Sequence, residues 1–143
     1  MRLTAIDLEV ANSLKKLDFN WHCKEGFFFE NPMSADAPGI NWNNSQSYLS
    51  APEQALVLKW LREVHDIHIV VMQESIGSDE YTYVYTFKYL PKEFQEAKRR
   101  IVHYVYEESF KMSHSSYSGG WDTYEEAELM GIKRAINYLT EPK

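Results

Sequence analysis

The stretch from Ser50 to Glu74 leaves the fewest choices open to this chain. Ser50-Ala51-Pro52-Glu53 predicts a capping box, with the serine accepting from a free first-turn N–H and the glutamate reaching back. Pro52 fits there because first-turn amides have no partner inside a helix. Leu56, Val57, Trp60, Leu61 and Val64 then fall on one helical face, with Lys59, Arg62 and Glu63 mostly on the other. His65-Asp66 leaves almost no connection before Ile67, where the period changes to two. Ile67, Ile69 and Val71 alternate with His68, Val70 and Met72. A helix joined so tightly to a strand must fold back across the sheet that holds the strand.

The next regular stretch completes a hairpin. Ser75 to Glu80, with Gly77 and Asp79, reads as a turn. From Tyr81 to Leu90, Tyr81, Tyr83, Tyr85, Phe87 and Tyr89 take one side and Thr82, Val84, Thr86 and Lys88 the other. Both runs are rich in β-branched and aromatic residues, which predicts antiparallel pairing.

Around this centre the chain is mostly helical. Ile6, Val10, Leu14 and Leu17 form one apolar stripe, capped by Thr4 or Asp7 and ended by Asp18-Phe19-Asn20. Residues 20–49 form an irregular connection in which Phe27 to Phe29 could be a short strand, followed by Pro32, Pro38, Gly39 and the polar cluster Asn41 to Ser45. Pro91 opens an expected third helix through Phe94, Ala97, Ile101, Tyr104 and Val105, with a strand as the competing assignment for 101–106. His114 to Gly120 reads as a loop. Asp122-Thr123 caps a last helix, along which Ala127, Gly131 and Ala135 make a small-residue ridge suited to close packing.

Composition narrows the function. The net charge of −6 argues against a nucleic acid as the main partner. Cys23 is the single cysteine, so neither an intrachain disulfide nor a cysteine zinc cluster can form. The charged N-terminus lacks the apolar run of a secretory signal, and the longest apolar run falls far short of the roughly 20 residues of a membrane span. The expectation is a cytoplasmic protein with no membrane partner.

Reactive constellations are scarce. No G-x-S-x-G elbow or P-loop occurs, no histidine spacing matches a zinc pattern, and no catalytic, metal or cofactor residue is assigned. Cys23 with a histidine, or Ser113, Ser115, Ser116 or Ser118 with His114, is the only formal nucleophile pairing. His65, Asp66 and His68 form a polar hinge whose role packing does not explain. Tyr81, Tyr83 and Tyr85, with Lys98, Arg99 and Arg100, define an alternative: a stacking platform for single-stranded nucleic acid. The competing reading of the tyrosine face is core or subunit interface, and of the basic run a solvated helix face.

Ala51-Pro52-x-Gln54-Ala55 and Trp60-Leu61-Arg62-x-x-His65-x-Ile67-His68-Ile69 form a segment that resembles one in small bacteriophage and prophage proteins, including those of gut Bacteroidetes. Asp7-Leu8-Glu9-Val10-Ala11 with Leu14 and Asp18-Phe19 is similar to their N-terminal helix. Thr123 to Ala127 with Gly131-Ile132 and Ala135 resembles their closing helix, whereas Pro91 to Gly120 is longer than the likeness leads one to expect. The resemblance implies a mobile-element origin in a bacterial cytoplasm and carries over no catalytic residues.

Together these readings predict one α+β domain over 1–143, with three to four helices packed on a small, mainly antiparallel sheet centred on the hairpin. The expected function is a non-enzymatic protein-interaction or accessory protein, self-associating through its aromatic or small-residue surfaces, without cofactors.

Overall fold

The computed structural model describes residues 6–36, 39–75, 81–89, 106–110 and 121–141; for 86–89 and 106–110 it describes the backbone. The element order is α1 (Leu8–Lys16), β1 (Glu25–Phe28), β2 (Asn31–Ser34), a 3-10 turn (Trp42–Asn44), β3 (Tyr48–Ser50), α2 (Gln54–His65), β4 (Ile67–Ser75), β5 (Tyr81–Tyr89), β6 (Tyr106–Phe110) and α3 (Tyr124–Thr140). The strands form two antiparallel sheets, ordered β2-β1-β3 and β4-β5-β6. This is an α+β fold. The chain divides into two compact units, one of Met1–Trp60 with Ile136–Lys143 and one of Leu61–Ala135.

In the first unit, the Asp7 side chain accepts from the Val10 N–H at 2.9 Å and starts α1. Asp7 therefore caps the helix. Ile6, Val10 and Leu14 are buried, as the stripe predicts. The helix closes in a Schellman motif: the Phe19 N–H donates to Leu14 O and the Asp18 N–H to Lys15 O, with Asp18 at φ 61°. Phe19 and Leu14, both buried, supply the apolar contact of that motif. Phe19 also meets Trp60 edge-on at 5.3 Å, and burying two such rings contributes about 2–3 kcal/mol each.

The region between α1 and α2 departs from the expected irregular connection. It holds a three-stranded sheet, organised by Trp42 and Asn43. The Trp42 ring lies over Gly26 so closely that a Cβ there would stand 2.3 Å from Cδ2, and its indole N–H donates to Cys23 O at 3.1 Å. The Asn43 amide donates to Phe19 O and accepts from the Ser50 N–H, both at 2.8 Å. One asparagine thereby satisfies backbone groups on either side of the sheet connection.

The capping box is corrected. Ser50 is the last residue of β3, paired with Gly26, and α2 begins at Gln54, where Glu53 O accepts from the Leu56 and Val57 N–H groups. Strand pairing and full burial of Ser50 outweigh its local capping preference. Its hydroxyl lies beside the Cys23 thiol without reaching a hydrogen-bond partner among the described residues.

In the second unit, β4 and β5 pair from Ile67↔Tyr89 to Ser75↔Tyr81, the hairpin that the alternation predicts. β6 extends the sheet on the other side of β5. Tyr106, contested between helix and strand in the sequence, is in β6; the rest of the expected third helix and the 114–120 loop lie outside the described residues. The Thr123 hydroxyl accepts from the Glu126 N–H at 3.2 Å and caps α3. Ala127, Gly131 and Ala135 are buried. A Cβ on Gly131 would stand 2.5 Å from Ile69 Cγ2 and 3.3 Å from the Tyr85 ring, so the glycine lets α3 lie directly on the sheet. Close packing offsets the roughly 1 kcal/mol that glycine costs in a helix.

Candidate functional site

The feature left over after packing is the outer side of β4. Its position follows from the joint that precedes it. His65 ends α2, Asp66 alone forms the connection with φ 57°, and Ile67 opens the strand fully buried. An aspartate tolerates the left-handed region better than most residues, so one residue suffices to reverse the chain. With Ile67 fixed inward, Ile69 and Val71 share its face, and α3 covers that side through Gly131. His68, Val70 and Met72 then face outward, Val70 at 44% and Met72 at 49% exposure. On the same face of β5, Thr82 and Val84 are buried, whereas Met72, paired with Val84, is exposed.

Among the described residues β4 is also an edge strand. β5 pairs one of its sides, and no strand among the described residues pairs the other. Its nine residues, IHIVVMQES, contain no proline and no lysine. The edges of the first sheet are different. β2 is four residues long and carries Pro32, which has no N–H to offer a partner. Beside β3, Lys15 of α1 donates from Nζ to Tyr48 O at 2.9 Å and also to Ser45 O. Short strands, proline and lysine are the usual means of blunting an edge against further pairing. β4 has none of them.

The polar hinge residues have separate settings. Burial pushes the His65 imidazole below its ordinary range, an effect that neighbouring Asp66 opposes. Asp66 is half-buried at the reversal, and His68 is exposed on the outward face of β4. Of the three, only His68 is exposed.

The tyrosine face is divided by packing. Tyr85 is buried and stacks on Trp121 at 5.4 Å, and Tyr83 meets Tyr124 edge-on at 6.3 Å, while Tyr81 is 59% exposed. Trp121 also exchanges two backbone hydrogen bonds with Tyr83 at 2.9 Å. Lys98, Arg99 and Arg100 lie outside the described residues. A stacking surface would need open ring faces, which Tyr85 does not offer. Tyr85 and the small-residue ridge join α3 to the sheet, while Tyr81 and Tyr124 stay exposed.

Cys23 is buried, and its thiol donates to Glu25 O at 3.2 Å. Burial pushes it up, with the Ser50 side chain and the Ala51 backbone opposing and Glu25 adding to the rise. Nucleophilic cysteines need surroundings that favour the thiolate, and burial at Cys23 works against it. Cys23 lines a hollow of about 230 Å³ with His22, Lys24 and Glu53. A larger open cleft of about 630 Å³ lies between Leu8, Asn12, Phe29 and Ser47. Among the described residues no three of His, Cys, Asp and Glu converge as metal ligands would, and no helix is long and apolar enough to cross a membrane.

Periodicity places Val70, Met72 and His68 on a shared face, but not on the open one, because both faces of β4 are partly apolar. The burial of Ile67 and the position of Gly131 decide it. No family model, curated protein or solved structure matches the chain.

Proposed function

We propose that this chain works by binding other proteins, as a non-enzymatic accessory protein of phage or mobile-element origin in a bacterial cytoplasm. The observation that carries the reading is the outward face of β4, where the apolar Val70 and Met72 are exposed, in contrast to the blunted β2 and β3; no strand among the described residues pairs the outer side of β4. An edge of this kind offers a row of backbone donors and acceptors, so main-chain pairing supplies affinity and the alternate side chains supply specificity. The origin and compartment rest on the resemblance of the Ala51 to Ile69 segment and on composition.

Affinity capture from a bacterial lysate tests it, using the full chain as bait with a Val70→Lys/Met72→Lys variant beside it. Lysines on an edge disfavour strand addition without disturbing the buried face. The expected result is a set of proteins held by the native chain and lost by the variant. Equal recovery by both would remove β4 as the binding surface. Salt-dependent retention of a single-stranded oligonucleotide, unchanged by the variant, would favour nucleic-acid binding instead.

A further inference from the structure

The β1-β2 turn carries a side chain that folding alone does not account for. Phe29 is 69% exposed, and its φ of 54° lies in the left-handed region, where a bulky side chain is strained and glycine is at ease. The ring is nevertheless held in place. It meets Phe28 edge-on at 4.6 Å, and Phe28 in turn meets Tyr48 at 5.0 Å. A strained, exposed ring braced by its neighbours adds little to a core. It suits a ligand platform, because it has little freedom left to lose on binding.

Phe29 borders the open cleft of about 630 Å³, within the size range of small-ligand sites. Half-buried Leu8 and Leu49 supply the apolar part of its lining. The other lining residues are exposed and polar: the carboxamides Asn12, Asn31 and Gln46, with Ser47 and Glu30. The Asn12 amide donates to Leu8 O at 3.0 Å, which leaves its oxygen as an acceptor. Among the described residues no lysine, arginine or histidine lines the cleft, so an anionic ligand would meet Glu30 without a counter-charge. Carboxamides and hydroxyls both donate and accept, which suits a ligand whose own groups do both. Sugar hydroxyls are such groups, and the C–H face of a sugar ring carries the partial positive charge that an aromatic face attracts. A peptide would offer similar amide pairing but needs apolar hollows for its side chains, and two leucines provide little of that.

We infer that this cleft binds a neutral saccharide, with Phe29 stacking on one sugar ring and Asn12, Asn31, Gln46 and Glu30 taking its hydroxyls. The site lies within the first unit and does not depend on the reading of β4. Such a role explains the strained phenylalanine: glycine would ease the turn but leave no ring to stack on.

Titration of the isotope-labelled full chain, followed through its amide chemical shifts, tests the inference. The probes are neutral trisaccharides of glucose, galactose, mannose and N-acetylglucosamine, with a sialylated trisaccharide and an uncharged pentapeptide for comparison. At least one neutral saccharide is expected to bind at millimolar concentration or below, with shifts centred on Phe29 and Gln46. Phe29→Gly is expected to fold, with a thermal midpoint no lower than that of the native chain, and to weaken that saccharide about ten-fold. Gln46→Ala, in an exposed segment, is expected to weaken it about three-fold or more. Unchanged binding in either variant would overturn the cleft as the site. Failure of every neutral saccharide at millimolar concentration would overturn the inference, as would preferential binding of the sialylated sugar or the pentapeptide. None of these outcomes bears on protein capture through β4, which the Val70→Lys/Met72→Lys variant tests separately.

Discussion

The two sheets have the same strand count and the same antiparallel pairing but are held by different means. In β2-β1-β3 the strands are three or four residues long, and side chains from a connecting segment bind them: the Trp42 ring over Gly26 and the Asn43 amide between Phe19 and Ser50. In β4-β5 nine residues pair with nine, and a helix with a small-residue ridge lies on one face. The first sheet depends on a few long-range side-chain contacts. The second rests on a repeating pattern, and its β4 leaves the apolar Val70 and Met72 exposed.

This difference can be broken at each sheet separately. Trp42→Ala is expected to cost the most, about 3–5 kcal/mol, since it empties the space over Gly26 and leaves Cys23 O without its indole donor. Urea unfolding measures it, and a loss below about 1 kcal/mol would show that β2-β1-β3 does not depend on that ring. Gly131→Leu comes next, at about 1–3 kcal/mol, by forcing α3 away from Ile69 and Tyr85. Near-ultraviolet circular dichroism should report the altered stacking of Tyr85 on Trp121; an unchanged spectrum and midpoint would mean that the ridge is not what seats the helix.

Phe29→Gly acts in the other direction. Phe29 is 69% exposed at the β1-β2 turn with φ 54°, a conformation costly for a bulky side chain and easy for glycine. The substitution is expected to stabilise by about 1 kcal/mol, read as a higher thermal midpoint.

The smallest effect is a dependence on pH. Because burial holds His65 below its ordinary value of 6.5, the unfolded chain takes up a proton before the native one does. The His65 contribution is complete above that ordinary value and is lost as the pH falls from it toward the lower native value, with a slope of at most about 1.4 kcal/mol per pH unit. Unfolding at pH values above and below this window should show a smaller acid loss in His65→Gln. An equal loss would place the acid sensitivity elsewhere.

The same contrast explains what was legible in the sequence. The β4-β5 hairpin, the apolar stripe of α1, the Thr123 cap and the Ala127-Gly131-Ala135 ridge all arise from local spacing, and local spacing is what a sequence displays. The first sheet was hidden because its strands are too short to show alternation, and one of them contains Pro32. Its organisers are an asparagine amide and an indole N–H acting across the chain, which composition registers only as a polar, aromatic loop. The Ser50 box failed for a related reason: the pattern is local, but pairing with Gly26 is not. For the candidate site, His68 was identified as unexplained by packing, but its partners on the open face, Val70 and Met72, look like core residues in any linear reading.

The one-residue joint at Asp66 also acts as a phase lock. Side chains along a strand alternate, so the number of residues between His65 and Ile67 decides which set meets α3 and which meets water. One residue inserted there would turn His68, Val70 and Met72 inward and send Ile67, Ile69 and Val71 out, changing the identity of the exposed surface without changing a residue of the strand. Length at this joint is therefore under tighter constraint than residue identity, and the surface β4 presents is written as much in the brevity of the turn as in the strand itself.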